Sequence, residues 1–211
     1  MVNDLHPDLI LLTGDFVTAL PFDGDEEKAA SNAEPCAALL AQMHAPHGLW
    51  AVLGNHDWAT DPRLVTHFLN QQNIQVLANQ SAPLEIDGAR FWLSGVSEIL
   101  FRTSDLTAAL SDIPRDEATI LLAHEPDYAD YASRHPVDLQ LSGHSHGGQI
   151  RLPFLPPLYL PEMARKYYAG LYQVGPLTLY TNIGLGTMGV PMRWNCPPEI
   201  TFFTLHSPAI R

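Results

Sequence analysis

The chain has 211 residues, with 11 Lys+Arg against 23 Asp+Glu, a formal net charge of −12, and 46% hydrophobic residues. That length and composition describe a folded domain with a core of its own rather than a disordered chain. The acidic balance excludes a general nucleic-acid binder, which needs a basic face to neutralise phosphates.

In chain order, Met1-Val2-Asn3-Asp4-Leu5-His6-Pro7 carries neither the basic region nor the apolar run of a signal peptide. Asp8-Leu9-Ile10-Leu11-Leu12 reads as a buried strand that stops in Thr13-Gly14-Asp15. A helix is predicted over residues 26–43. Leu49-Trp50-Ala51-Val52-Leu53 is a second strand, ending in Gly54-Asn55-His56-Asp57, and a helix follows over residues 62–72. Residues 83–96 alternate as a hairpin with Asp87-Gly88 as its turn. A helix over residues 104–111 has Ser104 as its expected cap. Ile120-Leu121-Leu122-Ala123 runs into His124-Glu125-Pro126-Asp127, and Leu139-Gln140-Leu141 into Ser142-Gly143-His144-Ser145-His146-Gly147-Gly148. The Pro-rich residues 152–161 fit neither a helix nor a central strand and are expected to form an ordered loop near the site, packed on the core rather than turned to a lipid or membrane surface. Residues 168–174 and 176–181 are strand-like around Gly175, and residues 200–205 are predicted as a last strand. No apolar stretch reaches the length needed to span a bilayer. Cys36 and Cys196 are too few for a disulfide framework and lack zinc-finger spacing, so both are expected as small buried residues.

Strands alternating with helices predict an α/β fold, with a second sheet packed on the first. In such folds ligands bind at the carboxyl ends of the strands. Four apolar runs each end there in a polar, Gly- or His-rich turn, so the turns are expected to converge. Asp15, Asn55, His124, His144 and His146 then present oxygen and imidazole donors. Such a mixed set suits Mn²⁺, Fe or Zn²⁺ rather than Ca²⁺ or Cu(I). The two His of Gly143-His144-Ser145-His146 stand at i and i+2, where a turn lets them reach two adjacent ions, and the flanking glycines leave room for tight bending. Each motif alone is weak. A lone Asp after a strand is more often a turn residue, and a lone His more often a hydrogen-bonded half-buried one. The four together, in this order, are the signal.

That ordered set resembles the calcineurin-like metallophosphoesterase superfamily. Gly147-Gly148-Gln149-Ile150, Leu152-Pro153-Phe154, Tyr168-Ala169-Gly170-Leu171-Tyr172, Gly184-Leu185-Gly186-Thr187 and Pro197-Pro198-Glu199-Ile200 narrow the likeness to a branch of bacterial phosphodiesterases. The resemblance implies a four-layer α/β/β/α sandwich over residues 1–211 as one domain, and a hydrolase with a dinuclear metal site. Asp15 would bridge two divalent ions. Asn55, His124 and His144 would complete one, and His146 would serve the other. His56 would be the catalytic histidine near the leaving group. Metal-bound hydroxide would attack a phosphate ester, so the expected partner is a phosphate-ester substrate and not a nucleic acid. Asp57 is expected either to cap the helix beginning near Asp61-Pro62 or to serve the site.

The sequence departs from that family twice. The family's Asp-x-His on a preceding strand has no counterpart. Asp4-Leu5-His6 matches by chance, because only Pro7 separates it from the strand beginning at Asp8, and a parallel crossover needs about a dozen residues. The chain is therefore expected to be incomplete at its N-terminus, as a truncated form rather than a natural short one, to lack the first strand, to hold one ion well, and to show weak or absent catalysis as it stands. Members of the branch often carry a signal or membrane anchor ahead of that motif, which leaves the location open between the cytoplasm and a membrane. Thr18 stands where many members carry an Asp that orients the catalytic His, with Asp23 and Asp25 as nearby acids. Two alternatives remain at this stage. One is a hydrolase of UDP-2,3-diacylglucosamine, to which the apolar Pro-rich segment points. The other is a binding scaffold that keeps the fold and has lost catalysis.

Overall fold

The apolar runs become the strands of two sheets. In the computed structural model, which describes residues 1–18 and 26–206, β1 (Ile10–Leu12), β2 (Leu49–Ala51) and β3 (Ile74–Val76) form a parallel sheet in that order. β4 (Gln80–Ile86), β5 (Ala89–Gly95), β6 (Thr119–Leu122), β7 (Leu139–Ser142), β8 (Gly170–Val174) and β9 (Leu177–Thr181) form the second sheet, in the order β4-β5-β6-β7-β9-β8. Its centre, β5 to β9, is parallel, and each edge is closed by an antiparallel neighbour. The β4–β5 turn falls on Asp87 (φ 51°) and Gly88 (φ 78°), both left-handed as a tight hairpin of this hand requires.

Strand alternation divides each run between two faces. On β2, Leu49 and Ala51 face the helices α1 (Glu26–Ser31), α2 (Ala33–Leu40) and α4 (Pro62–Gln71), packing with Ala30, Ala37, Val65 and Leu69. Trp50 and Val52 face the other way and meet Leu93, Ile120, Leu122 and Leu141 of the second sheet. On the far side of that sheet Leu121, Leu177 and Leu179 pack against α5 (Leu106–Leu110) and α6 (Ala129–Ala132). The result is the expected α/β/β/α layering. One further helix, α3 (Asn55–Trp58), belongs to the site.

Several local expectations are corrected. The helix over residues 26–43 is two, α1 and α2, meeting at Asn32. Pro35 lies in the first turn of α2, and in a continuous helix its ring would strike the carbonyl of Ser31. The cap of α5 is Asp105, not Ser104; its Oδ1 accepts the Ala108 N–H at 2.9 Å, and its negative charge suits a helix N-terminus. Residues 200–205 form no strand. β9 already has β7 and β8 on its two edges, so this segment is held by side chains instead. The Thr201 hydroxyl bonds the Tyr180 hydroxyl (3.1 Å) and the Glu199 carboxylate (2.8 Å), and the Phe203 ring stands edge-on to Tyr180. Cys196 is buried but Cys36 is only half-buried, and both are free thiols. The Pro-rich residues 152–161 do form a loop without regular structure, but it turns outward rather than onto the core. Among the described residues no helix is long and apolar enough to cross a membrane.

Candidate metal centre

The turns after β1 and β2 come from one sheet, and those after β6 and β7 from the other. The site therefore straddles the seam between the two sheets at their carboxyl ends. There Asp15, His124 and His144 each offer a ligand atom, all within 4.8 Å of one another. His124 Nε2 lies 3.1 Å from Asp15 Oδ2, and the rings of His124 and His144 meet edge to face with centroids 4.9 Å apart. Asn55 opens α3, and the next backbone N–H, that of His56, donates to Asp15 Oδ1 at 3.0 Å.

The backbone bends sharply to achieve this. Asp15 (φ 63°), His144 (φ 64°) and His146 (φ 48°) are all left-handed, a conformation that disfavours a residue with a Cβ by about 1–2 kcal/mol. Such strain persists only where the surroundings enforce it. Gly14 and Gly54 permit the close approach. A Cβ on Gly14 (φ 98°) would stand 2.6 Å from the Gly54 nitrogen and 2.8 Å from His124 Nδ1. A Cβ on Gly54 would stand 2.6 Å from His124 Cε1 and strike the Asp15 carboxylate.

The ring tautomers follow from their backbone partners. His124 Nδ1 faces the Thr13 carbonyl at 2.5 Å, and His144 Nε2 faces the Glu162 carbonyl at 2.8 Å. A carbonyl only accepts, so each of these nitrogens carries a proton and the other ring nitrogen is the one open to a ligand. His124 Nε2 is buried and close to Asp15 Oδ2, yet off the line of a hydrogen bond. Asn55 Oδ1 and His146 Nδ1 are also buried without a hydrogen-bond partner. Buried polar atoms are seldom left unpaired. Three from three different turns, all electron-pair donors and accompanied by a carboxylate, fit a divalent cation of the Mn²⁺, Fe or Zn²⁺ type.

The electrostatics agree. Burial alone would raise the Asp15 carboxyl, but the adjoining His124 ring, with His56 behind it, outweighs that and holds it well below the ordinary carboxylate range. Burial would lower His124, but the Asp15 carboxylate raises it to about 10. His144 is pushed down to about 3 by burial and by the charge of His124, and burial likewise lowers His146. The raised His124 value means that its contact with Asp15 stabilises the metal-free fold fully below about pH 6.5, and that this contribution is lost as pH rises through about 10. It also means that His124 is an imidazolium at pH 8. Taking a divalent ion there is expected to expel about one proton. Calorimetric titrations with Mn²⁺ in buffers of different ionisation enthalpy measure this directly, and an uptake heat independent of the buffer contradicts it.

Sequence reasoning only half-weighed Asp57. It does not cap the helix at Pro62, where Asp61 accepts from the N–H groups of Arg63 and Leu64. Instead its buried carboxylate accepts four backbone N–H groups: Asp15 (2.9 Å) and Gly54 (2.9 Å) on Oδ2, Phe16 (2.8 Å) and Val17 (3.1 Å) on Oδ1. It ties the turn after β1 to the start of α3. The Thr13 and Glu162 carbonyls that fix the ring tautomers are backbone atoms and carry no signal in the sequence. Thr18 is exposed, and Asp23 and Asp25 lie outside the described residues. Asp4 and His6 are exposed beside the one-turn helix Asn3–Leu5, ahead of the opposite end of β1, with Asp4 paired to the terminal ammonium at 2.9 Å.

Comparison with known proteins gives the same direction. A family model described as calcineurin-like phosphoesterase matches residues 1–148. The chain is 35% identical over 208 residues to YkuE of Bacillus subtilis strain 168, an uncharacterised metallophosphoesterase, covering 98% of this chain and 70% of that protein. It is 32% identical over 203 residues to the phosphodiesterase YaeI of Escherichia coli K12, covering 94% and 70%. In fold it resembles the NAD nucleotidase NadN of Haemophilus influenzae, with a TM-score of 0.51 at 17% identity over 82% of this chain and 40% of that one.

Proposed function

The chain belongs to the calcineurin-like phosphoesterase family of metal-dependent hydrolases, and on that premise we propose that it cleaves phosphodiesters, with residues 1–211 belonging to one catalytic domain. The observation that carries this reading is that Asp15, His124 and His144 each bring a ligand atom within 4.8 Å of the others. The name of the E. coli relative supports the diester class. Asp15, Asn55, His124 and His144 would hold one divalent ion, and Asp15 with His146 a second, weaker one. Bound there, such ions supply Lewis acidity and a water acidic enough to ionise near neutral pH.

The rest is the work of the chain's own groups. The His56 N–H fixes Asp15 Oδ1 while Oδ2 is turned to His124, so both carboxylate oxygens are placed before any ligand arrives. The Thr13 and Glu162 carbonyls keep the two rings from rotating. His56, half-buried at the first turn of α3, is the group we assign to protonating the departing oxygen. Replacing His56 with Ala is expected to lower turnover of bis-p-nitrophenyl phosphate by about 10²–10⁴, with the bound metal per chain unchanged. Undiminished turnover removes His56 from the mechanism. A wild-type chain that binds metal but never turns over favours a scaffold instead.

A further inference from the structure

The outward-facing loop beyond the His146 turn has a property the hydrolytic reading does not use. Phe154 is 106% exposed and Tyr159 73%, and Leu155 and Leu158 are exposed beside them. A second loop runs alongside and exposes Val190, Met192 and Trp194, the last by 58%. The two are fastened together at their bases. Ile150 pairs with Trp194 in an isolated bridge, the Arg151 N–H donates to the Trp194 carbonyl (2.9 Å), and the Trp194 N–H donates to that of Gln149 (3.0 Å). The Gln149 amide also reaches the Met188 and Val190 carbonyls, and the Arg193 guanidinium holds those of Ile183, Gly186 and His146. Pro153, Pro156 and Pro157 fix φ along the first loop. The apolar tips therefore stand on a stiff base and cannot fold back onto the core.

The charge of this face differs from that of the rest of the molecule. Residues 146–161 and 183–198 contain no Asp or Glu and carry Arg151 and Arg193. Removing those two positive charges from the net −12 leaves −14 on the remainder. These two acid-free segments, bounded by Glu162 and Glu199, repel an approaching surface of phosphate headgroups less than the acidic remainder of the chain does. Exposed Trp and Tyr, whose rings are apolar with a polar edge, suit the headgroup level of a membrane. Contiguous exposed apolar groups on an otherwise polar surface mark an interaction site.

We propose that these two loops dock on a phospholipid bilayer, inserting Phe154, Leu155, Tyr159 and Trp194 among the headgroups and seating the His144–His146 turn at the membrane surface. This docking does not depend on turnover. The ordering entropy is largely spent in the folded chain, since the loops are already fixed.

The test is co-sedimentation of the full chain with vesicles of phosphatidylcholine and phosphatidylglycerol, with tryptophan emission followed in parallel. Wild-type protein is expected to pellet with lipid and its emission to shift to shorter wavelength, the shift disappearing in Trp194→Phe. The triple variant Phe154→Ser/Leu155→Ser/Tyr159→Ser is expected to lose partitioning about tenfold or more, with metal content and circular dichroism unchanged. Tyr159→Glu alone, which places a charge on the face without altering the loop, is expected to weaken it in the same sense. Wild-type protein that stays in the supernatant at millimolar lipid overturns the proposal, as does a triple variant that binds like wild type. A wild type that sediments as a dimer without lipid, and becomes monomeric in the triple variant, assigns the face to a second copy and also overturns it.

Discussion

Asp15→Asn is expected to reduce phosphodiester turnover by about three orders of magnitude and to abolish tight metal binding. The estimate follows from the several kcal/mol that a metal contributes to stabilising charge in the transition state, each 1.36 kcal/mol being tenfold in rate. Among the candidate ligands Asp15 is the one anion, and it faces both His124 and the His56 amide. The substitution is nearly isosteric, so its effects can be separated. The new carbonyl oxygen can still accept the His56 N–H, but the contact of the Asp15 charge with the His124 ring, which stabilises the metal-free fold, is lost. The metal-free melting temperature is therefore expected to fall modestly at pH 7 and to approach that of the wild type as pH rises through about 10. What should vanish is the rise on adding Mn²⁺, about 2.7 kcal/mol at one hundred times the dissociation constant in the wild type. Scanning calorimetry with and without Mn²⁺, alongside turnover of bis-p-nitrophenyl phosphate, measures both. A variant that still gains stability from Mn²⁺ would place the ion elsewhere.

The parts of this site that were legible in the sequence are those made of side chains in a recurring pattern. Leu9-Ile10-Leu11-Leu12 and Ile120-Leu121-Leu122-Ala123 are continuous apolar runs that suit strands, the second fully buried and the first only half-buried at the edge of its sheet. The Gly, Asn, His and Asp residues that follow such strands have no folding role that would require those identities together. Three kinds of feature were not legible. The Thr13 and Glu162 contributions come from carbonyls, which every residue possesses. The split between α1 and α2 depends on Pro35 clashing with Ser31, a signal that was present but outweighed by the apolar periodicity around it. The outward course of residues 152–161 had no local signature, because Leu, Phe and Pro are as common under a core as outside it. Only the rigid bases at Gln149, Arg151 and Arg193 decide the matter, and these are long-range contacts.

Asp57 poses the sharpest contest of magnitudes, and a single substitution resolves it. Burial and the nearby Asp15 carboxylate push its carboxyl up to about 7, against the pull of the N–H groups it accepts. If the buried charge were the larger effect, neutral Asp57→Asn would stabilise the protein. The geometry argues the opposite. Each carboxylate oxygen accepts two backbone N–H groups, and an amide has only one oxygen. Whichever way Asn is turned, its NH₂ must face two N–H donors. Each orphaned buried donor destabilises by about 1–3 kcal/mol, so the two together give an expected loss of about 2–6 kcal/mol for Asp57→Asn. Asp57→Ala, where water can enter the space, is expected to lose a similar amount. Urea unfolding gives both values. The same four bonds hold the Asp15 turn against Gly54, so the metal affinity of either variant should fall by about 10- to 100-fold even where the fold survives. Asp57 touches no candidate ligand's donor atom and acts only by positioning Asp15. An Asn variant more stable than wild type would show that desolvation, not hydrogen bonding, governs this carboxylate.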